Sequence, residues 1–237
     1  MRGFCRYTDT KKRDEITLSE VARVLARKAA EESCVLLKNN GMLPLKETAK
    51  VAFVGPFVEE REIIGNWSKK ARMEDTVSVK EGVEKLLKHA VPCARGCSRK
   101  LFDTDESEFA EAEKVCADAD FIVACVGEHM LNSGEAHSRT DIRIPEIQRK
   151  LNKPLALVVF GGRPLALSDV EKLADAILYV WQPGTEGGNA IANLIYGKAI
   201  PCGKTVMSFP RSVGQCPIYY NHFSTARPKR KDIPSFY

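Results

Sequence analysis

Phe121-Ile-Val-Ala-Cys-Val126 is an uncharged, almost wholly apolar run, and it leads directly into Gly127-Glu-His-Met-Leu-Asn-Ser-Gly-Glu-Ala-His-Ser-Arg-Thr-Asp141. A strand that shows an apolar side chain on both faces has to be covered on both faces, as happens in a parallel sheet between helices. The reading extends outward in both directions. Upstream, Val51-Ala-Phe-Val-Gly-Pro56 is a second such strand, closed by Gly and Pro. Downstream, Leu155-Ala-Leu-Val-Val-Phe160 and Ala176-Ile-Leu-Tyr-Val-Trp181 repeat the pattern, and Ala90-Val-Pro-Cys-Ala94 is a shorter candidate.

Helical patterns fill the intervals. Thr17 and Glu20 are spaced as a capping box for a helix over 18–33, with Leu18, Val21, Ala22, Leu25 and Ala29 on its apolar stripe. Ser78 and Glu81 cap a helix to about His89, and an acidic helix covers 105–118. Pro145 suits the first turn of a helix to about Leu151, Ser168 and Glu171 cap a short one, and 187–196 form another that Gly197 stops. This alternation predicts an α/β three-layer sandwich, with a mostly parallel central sheet flanked by helices and right-handed crossovers. Residues 1–16 are polar without clear periodicity, and the chain after about Val206 reads as irregular.

Of 237 residues, 44% are apolar and 28% charged, the balance of a folded globular chain. The net charge of +5 collects at the ends, in Lys11, Lys12 and Arg13 and in Arg227, Lys229, Arg230 and Lys231. No aromatic residues interleave with these clusters, so nucleic acid is not an expected partner. Eight cysteines lack the paired spacing of a zinc site; Cys93 and Cys97, with His89 as the one near histidine, are too few for a metal. Cys34, Cys116 and Cys125 sit in apolar or helical runs and read as small hydrophobes. This usage leans towards a reducing compartment. No run approaches signal-peptide or membrane-spanning length, so membrane insertion is not expected. No cofactor and no metal are expected.

Ligands of open α/β sheets gather beyond the carboxyl ends of the strands. The loop after Val126 stands out there because connections in such units usually take two to six residues. It holds Glu128, Glu135 and Asp141, His129 and His137, and Arg139. Glu135, after Gly134, is far enough from the strand end to project. Arg139 can orient a carboxylate or meet a ligand oxygen, and Asp141 can lock the arginine. Glu128 and Glu135 are one conceivable carboxylate pair, but Glu128 lies so near the strand end that it suits accepting backbone or arginine hydrogen bonds. The histidines are too loosely spaced to specify a metal. A solvated loop closed by a salt bridge satisfies the same residues. Gly184-Thr-Glu-Gly-Gly188 offers either an anion-binding helix start or tight helix–sheet packing, and no Walker motif or dinucleotide fingerprint is present, which counts against a nucleotide- or flavin-binding protein. Trp67, in Gly65-Asn-Trp-Ser68, either lines a sugar-binding edge or packs into the core.

A set of motifs adds a resemblance. Ala26-Arg-Lys-Ala-Ala-Glu-Glu-Ser-Cys-Val-Leu-Leu-Lys-Asn39, Leu43-Pro-Leu45, Val51 to Pro56, Gly65 to Ser68, Gly134-Glu-Ala-His-Ser-Arg-Thr-Asp-Ile142, Gly162-Arg-Pro-Leu165, Trp181-Gln-Pro-Gly-Thr-Glu-Gly-Gly-Asn-Ala190 and Met207-Ser-Phe-Pro-Arg-Ser-Val-Gly-Gln215 resemble glycoside hydrolase family 3, most nearly the bacterial periplasmic-type β-glucosidases. The resemblance implies the α/β sandwich that follows a TIM-like barrel, and no barrel fits within these 237 residues. It makes 1–16 the end of an interdomain linker, 17–210 the sandwich and 211–237 an irregular tail. It implies a retaining hydrolase acting on a β-linked glucoside or short oligosaccharide, with the nucleophile on the barrel and Glu135 as general acid/base. It implies loop support or sugar contact for Arg139 and Asp141. Relatives of this kind are periplasmic or secreted. A non-catalytic carbohydrate- or partner-binding remnant is the alternative.

Overall fold

The computed structural model describes residues 10–68, 72–132, 134–149 and 155–221. Six strands form one sheet: β1 (Val35–Asn39), β2 (Val51–Val54), β3 (Cys93–Ala94), β4 (Phe121–Gly127), β5 (Leu155–Phe160) and β6 (Ala174–Trp181). Their order is β1-β6-β5-β4-β2-β3; β1 runs antiparallel to β6 and every other pairing is parallel. The helices are α1 (Thr10–Ile16), α2 (Glu20–Ser33), α3 (Val79–Leu87), α4 (Phe109–Ala117), α5 (Glu146–Arg149) and α6 (Gly187–Ile195). The expected three-layer sandwich with a mostly parallel sheet is the fold observed.

Strand periodicity divides the core into two layers. Phe53, Val123, Cys125, Val158, Phe160 and Leu178 point to one face, where Val79 and Val83 of α3 and Ile191 and Ile195 of α6 cover them. Val54, Ile122, Ala124, Leu157, Val159 and Tyr179 point to the other, against Ala112 and Cys116 of α4 and against Leu165, Leu167 and Val170. Cys34, Cys116 and Cys125 are buried there as thiols, as the sequence indicates. On the first face α3 and α6 approach closely because glycines meet. A Cβ on Gly188 would lie 1.9 Å from the Ser78 carbonyl oxygen, and one on Gly82 would lie 2.1 Å from the Gly188 oxygen. Gly184 to Gly188 therefore serves packing. The Gly187 and Gly188 amides already donate to Gly184 and Val77.

Several elements differ from the sequence reading. The cap of α2 is Ser19, whose Oγ accepts from Ala22 N, and not Thr17. Thr17 N donates to Arg13 O at the end of α1, and Leu18 turns the chain with φ 57°. Helix α1 itself stands where only polar, aperiodic sequence was legible. Strand β1 was unexpected, since its pairing partner is β6, distant in sequence. The Ser78–Glu81 capping box of α3 forms as expected. Helix α4 starts at Phe109, later than 105, because Asp103 and Asp105 side chains accept from the amides of Asp105 and Ser107 and hold turns instead. Ser168 caps nothing; its hydroxyl donates to Arg211 O at 2.6 Å, and Glu171–Leu173 is a single tight turn. Helix α5 begins just after Pro145, and the end expected for it at Leu151 lies outside the described residues. Past Val206 the chain crosses the second face, where the Phe209 ring packs edge-on at 5.1 Å from Tyr179. Residues 222–237, with the basic cluster, lie outside the described residues.

Candidate functional site

The carboxyl ends of β2, β4, β5 and β6 share one edge of the sheet, and the loop from β4 rises from it. Glu128 leaves the strand first and is buried, with its amide donating to Phe160 O at 2.9 Å. Its carboxylate takes two guanidinium groups. Arg163, after β5, donates from Nε to Oε2 at 3.0 Å and from Nη2 to Oε1 at 2.6 Å. Arg139, from the far side of the same loop, donates to Oε1 as well. With side chains 1% and 5% exposed, Glu128 and Arg139 form a buried pair that closes the loop at its base. Glu128 is thus the arginine acceptor its position suggested.

Between those two anchors stands a tight hairpin. Gly134 and His137 bridge, with His137 N donating to Gly134 O at 3.2 Å, and Glu135 and Ala136 form the tip. Gly134 has φ +114°, and a Cβ there would come within 1.8 Å of the Asn66 side-chain nitrogen. The positive φ is what calls for glycine, since the Asn66 side chain could turn aside from a Cβ. Glu135 is therefore exposed on a projecting tip beside the loop that carries Trp67. Trp67 is 61% exposed, which removes the core-packing reading for it.

Asp141 does not lock Arg139. Its carboxylate binds Arg143, whose Nη2 lies at 2.6 Å and Nε at 3.0 Å, and it also accepts from Arg143 N at 2.9 Å. The Arg143 hydrogen bonds hold the Asp141 carboxyl at about 2, below its ordinary 3.8. Both arginines stand two positions from Asp141, but Arg139 is turned to the buried Glu128 carboxylate, which leaves Arg143 to pair with Asp141. Asp141 and Arg143 border an open cleft of about 500 Å³ with Ser168 and Arg211.

The sequence reading overlooked Arg163, although it follows a strand end and obeys the rule that singled out the β4 loop. It also gave no role to Glu60, Glu62 and Arg99. Glu62 follows β2 and Arg99 follows β3, and the Glu62 carboxylate takes both Arg99 and His129, the latter from the start of the β4 loop. His129 is buried while His137 stands exposed on the hairpin, so the two histidines serve different surroundings. Among the described residues no group of three or more His, Cys, Asp or Glu is placed to hold a metal ion, and no helix is long and apolar enough to cross a membrane.

The architecture and the edge define a class: an α/β sandwich whose carboxyl-edge loop presents one carboxylate outward from an arginine-clamped base. The chain belongs to the family described as the glycosyl hydrolase family 3 C-terminal domain, whose profile matches residues 34–237. It is 39% identical to the periplasmic beta-glucosidase of Salmonella typhimurium, covering 92% of this chain and 32% of that protein. It is 33% identical to a beta-xylosidase of Formosa agariphila, over 84% of this chain and 30% of that one. The crystal structure of a beta-glucosidase from Listeria innocua in complex with isofagomine superposes with a TM-score of 0.83 at 35% identity, covering 91% of this chain and 31% of that chain. The chain thus spans about a third of the length of these relatives.

Proposed function

We propose that this chain furnishes the general acid/base, Glu135, of a retaining β-glycoside hydrolase whose nucleophilic carboxylate stands on a TIM-like barrel outside these 237 residues. The observation that carries the reading is the hairpin tip. Glu135 is exposed and projects from a base clamped by Glu128, Arg139 and Arg163, where the Glu128 carboxylate is taken up by both arginines. A glycosidase needs two carboxyl groups flanking the bond, and in retaining enzymes they stand about 5–5.5 Å apart. A lone carboxylate presented outward suits completion by a facing surface.

In the first step the barrel carboxylate attacks the anomeric carbon while protonated Glu135 gives its proton to the departing glycosidic oxygen. In the second, Glu135 takes a proton from water, whose oxygen attacks the anomeric carbon and releases the sugar from the carboxylate. Arg139 supports the loop through Glu128, Asp141 steadies the returning strand through Arg143, and Trp67 offers an aromatic rim for a sugar ring. The substrate proposed is a terminal β-linked glucoside or short oligosaccharide, in keeping with the names of the beta-glucosidase and beta-xylosidase relatives. In this reading residues 1–16 end an interdomain linker, 17–210 are the sandwich and 211–237 a tail, and the chain alone turns over nothing.

The test joins the chain to the barrel portion of a relative and assays an aryl β-glucoside. Glu135→Gln should lower kcat/KM, which reports the first step, by about 10²–10⁴-fold for poor leaving groups, and far less for a dinitrophenol leaving group, which departs without a proton. Turnover by the chain alone, or a Glu135→Gln variant as active as the parent on every substrate, would overturn the proposal.

A further inference from the structure

Glu62, Arg99 and His129 come from the ends of three different strands and meet in one cluster. Arg99, after β3, donates from Nη2 to Glu62 Oε2 at 2.8 Å and also engages the Glu60 carboxylate. Glu60 is itself fixed by the amides of Arg61 and Glu62, at 2.8 and 2.7 Å. His129 Nε2 lies 2.9 Å from the same Glu62 Oε2, and Leu131 N donates to His129 Nδ1 at 3.3 Å. Because Nδ1 accepts, Nε2 carries the hydrogen and donates it to Glu62. One carboxylate therefore joins the β2, β3 and β4 loops.

The β2 loop meets the β4 loop a second time. Asn66, four residues past Glu62, lies against Gly134 at the root of the hairpin, and the turn between the two contacts is closed by Asn132 N donating to His129 O at 2.9 Å. The limb leading to Glu135 is thus seated at both ends on the segment 60–66. The opposite limb is held by Arg139 on Glu128.

Resting on the reading of Glu135 given above, we propose that His129 is a positioning residue for that carboxylate, and that the Glu62–Arg99–His129 cluster is the seat that fixes the hairpin relative to the β2 loop. A displacement of about 1 Å at a reacting group can cost on the order of 10²-fold in rate, so such a seat has a functional consequence that general stability does not.

Hydrogen exchange of the full 237-residue chain, followed amide by amide with NMR, tests it. Glu62→Gln and His129→Leu should each speed exchange at Leu131 and His137 by about tenfold or more through local opening. His129→Gln, which keeps a donor for Glu62, should stay near the parent. Amides of β5 and α6 should be unchanged throughout; their loss of protection together with the loop would show global unfolding and would overturn the local seat. Unchanged exchange at His137 in both Glu62→Gln and His129→Leu would overturn it too. In the barrel-joined enzyme, His129→Leu should lower kcat/KM, which reports the first step, about ten- to a hundredfold for poor leaving groups, and leave kcat/KM for a dinitrophenyl glucoside near the parent value. Equal losses on both leaving groups would overturn the positioning role. If Glu135→Gln shows no leaving-group dependence, the acid/base reading falls, while the exchange results still report on the cluster itself.

Discussion

Arg139 and Asp141 sit two residues apart and do different work, and each invites a direct measurement. Arg139 shares a buried carboxylate with Arg163. Its replacement by Met removes one of two cations and leaves Glu128 less well compensated, so unfolding free energy should fall by about 3 kcal/mol, the low end for breaking a buried pair. Urea denaturation of Arg139→Met gives the value, and a loss under 1 kcal/mol would contradict the clamp. Asp141 is half exposed, and its effect is better followed by titration than by stability. Its folded carboxyl titrates at about 2 against an ordinary 3.8. A depressed carboxylate contributes above 3.8 and loses that contribution as pH falls towards 2. Carboxyl NMR should place the Asp141 midpoint near 2, and Arg143→Met should bring it back towards 3.8. His129 has the opposite chemistry and the same acid sensitivity. Burial, then the charge of Arg99, holds its imidazole below the ordinary 6.5, with Glu62 opposing. The unfolded chain then binds a proton that the folded chain refuses, so stability should decline as pH drops through 6.5. Denaturation of the parent and of His129→Gln between pH 5 and 7.5 should show the decline in the parent alone.

At the level of elements, the contact between α3 and α6 depends on hydrogen atoms where other residues have Cβ. Gly188→Ala places carbon 1.9 Å from the Ser78 oxygen, so the backbone itself has to shift. The expected cost is about 1–3 kcal/mol, the range for overpacking a tight interface. A thermal midpoint equal to the parent's would show that the helices separate freely. The Ser78–Glu81 cap at the same place was legible because three-residue spacing alone creates it. The Ser168–Glu171 spacing is identical but no cap forms, since the Glu171 amide donates to Leu167 O at 2.8 Å while the Ser168 hydroxyl turns to Arg211 O of the returning chain. Local pattern can specify a competitor for a backbone amide, but not whether tertiary structure offers that competitor something else.

Across the whole molecule the apolar strands and their spacing sufficed to indicate a parallel sheet covered on both sides, because a fully apolar six-residue strand tolerates water on neither face. The length and polarity of the β4 loop, read with the carboxyl-edge rule, pointed to the edge from which Glu135 projects, and the motifs singled out Glu135 within that loop. The structure alone decided how that loop is held. Glu128 pairs with Arg163 and Arg139, Glu62 with Arg99 and His129, and β1 with β6. All but Glu128–Arg139, which closes a single loop, unite residues from separate strands, and periodicity along a chain carries no information about which loop ends will meet. Burial then made the choice: once folding removes Glu128 from water, it must take whichever guanidinium groups the sheet brings within reach.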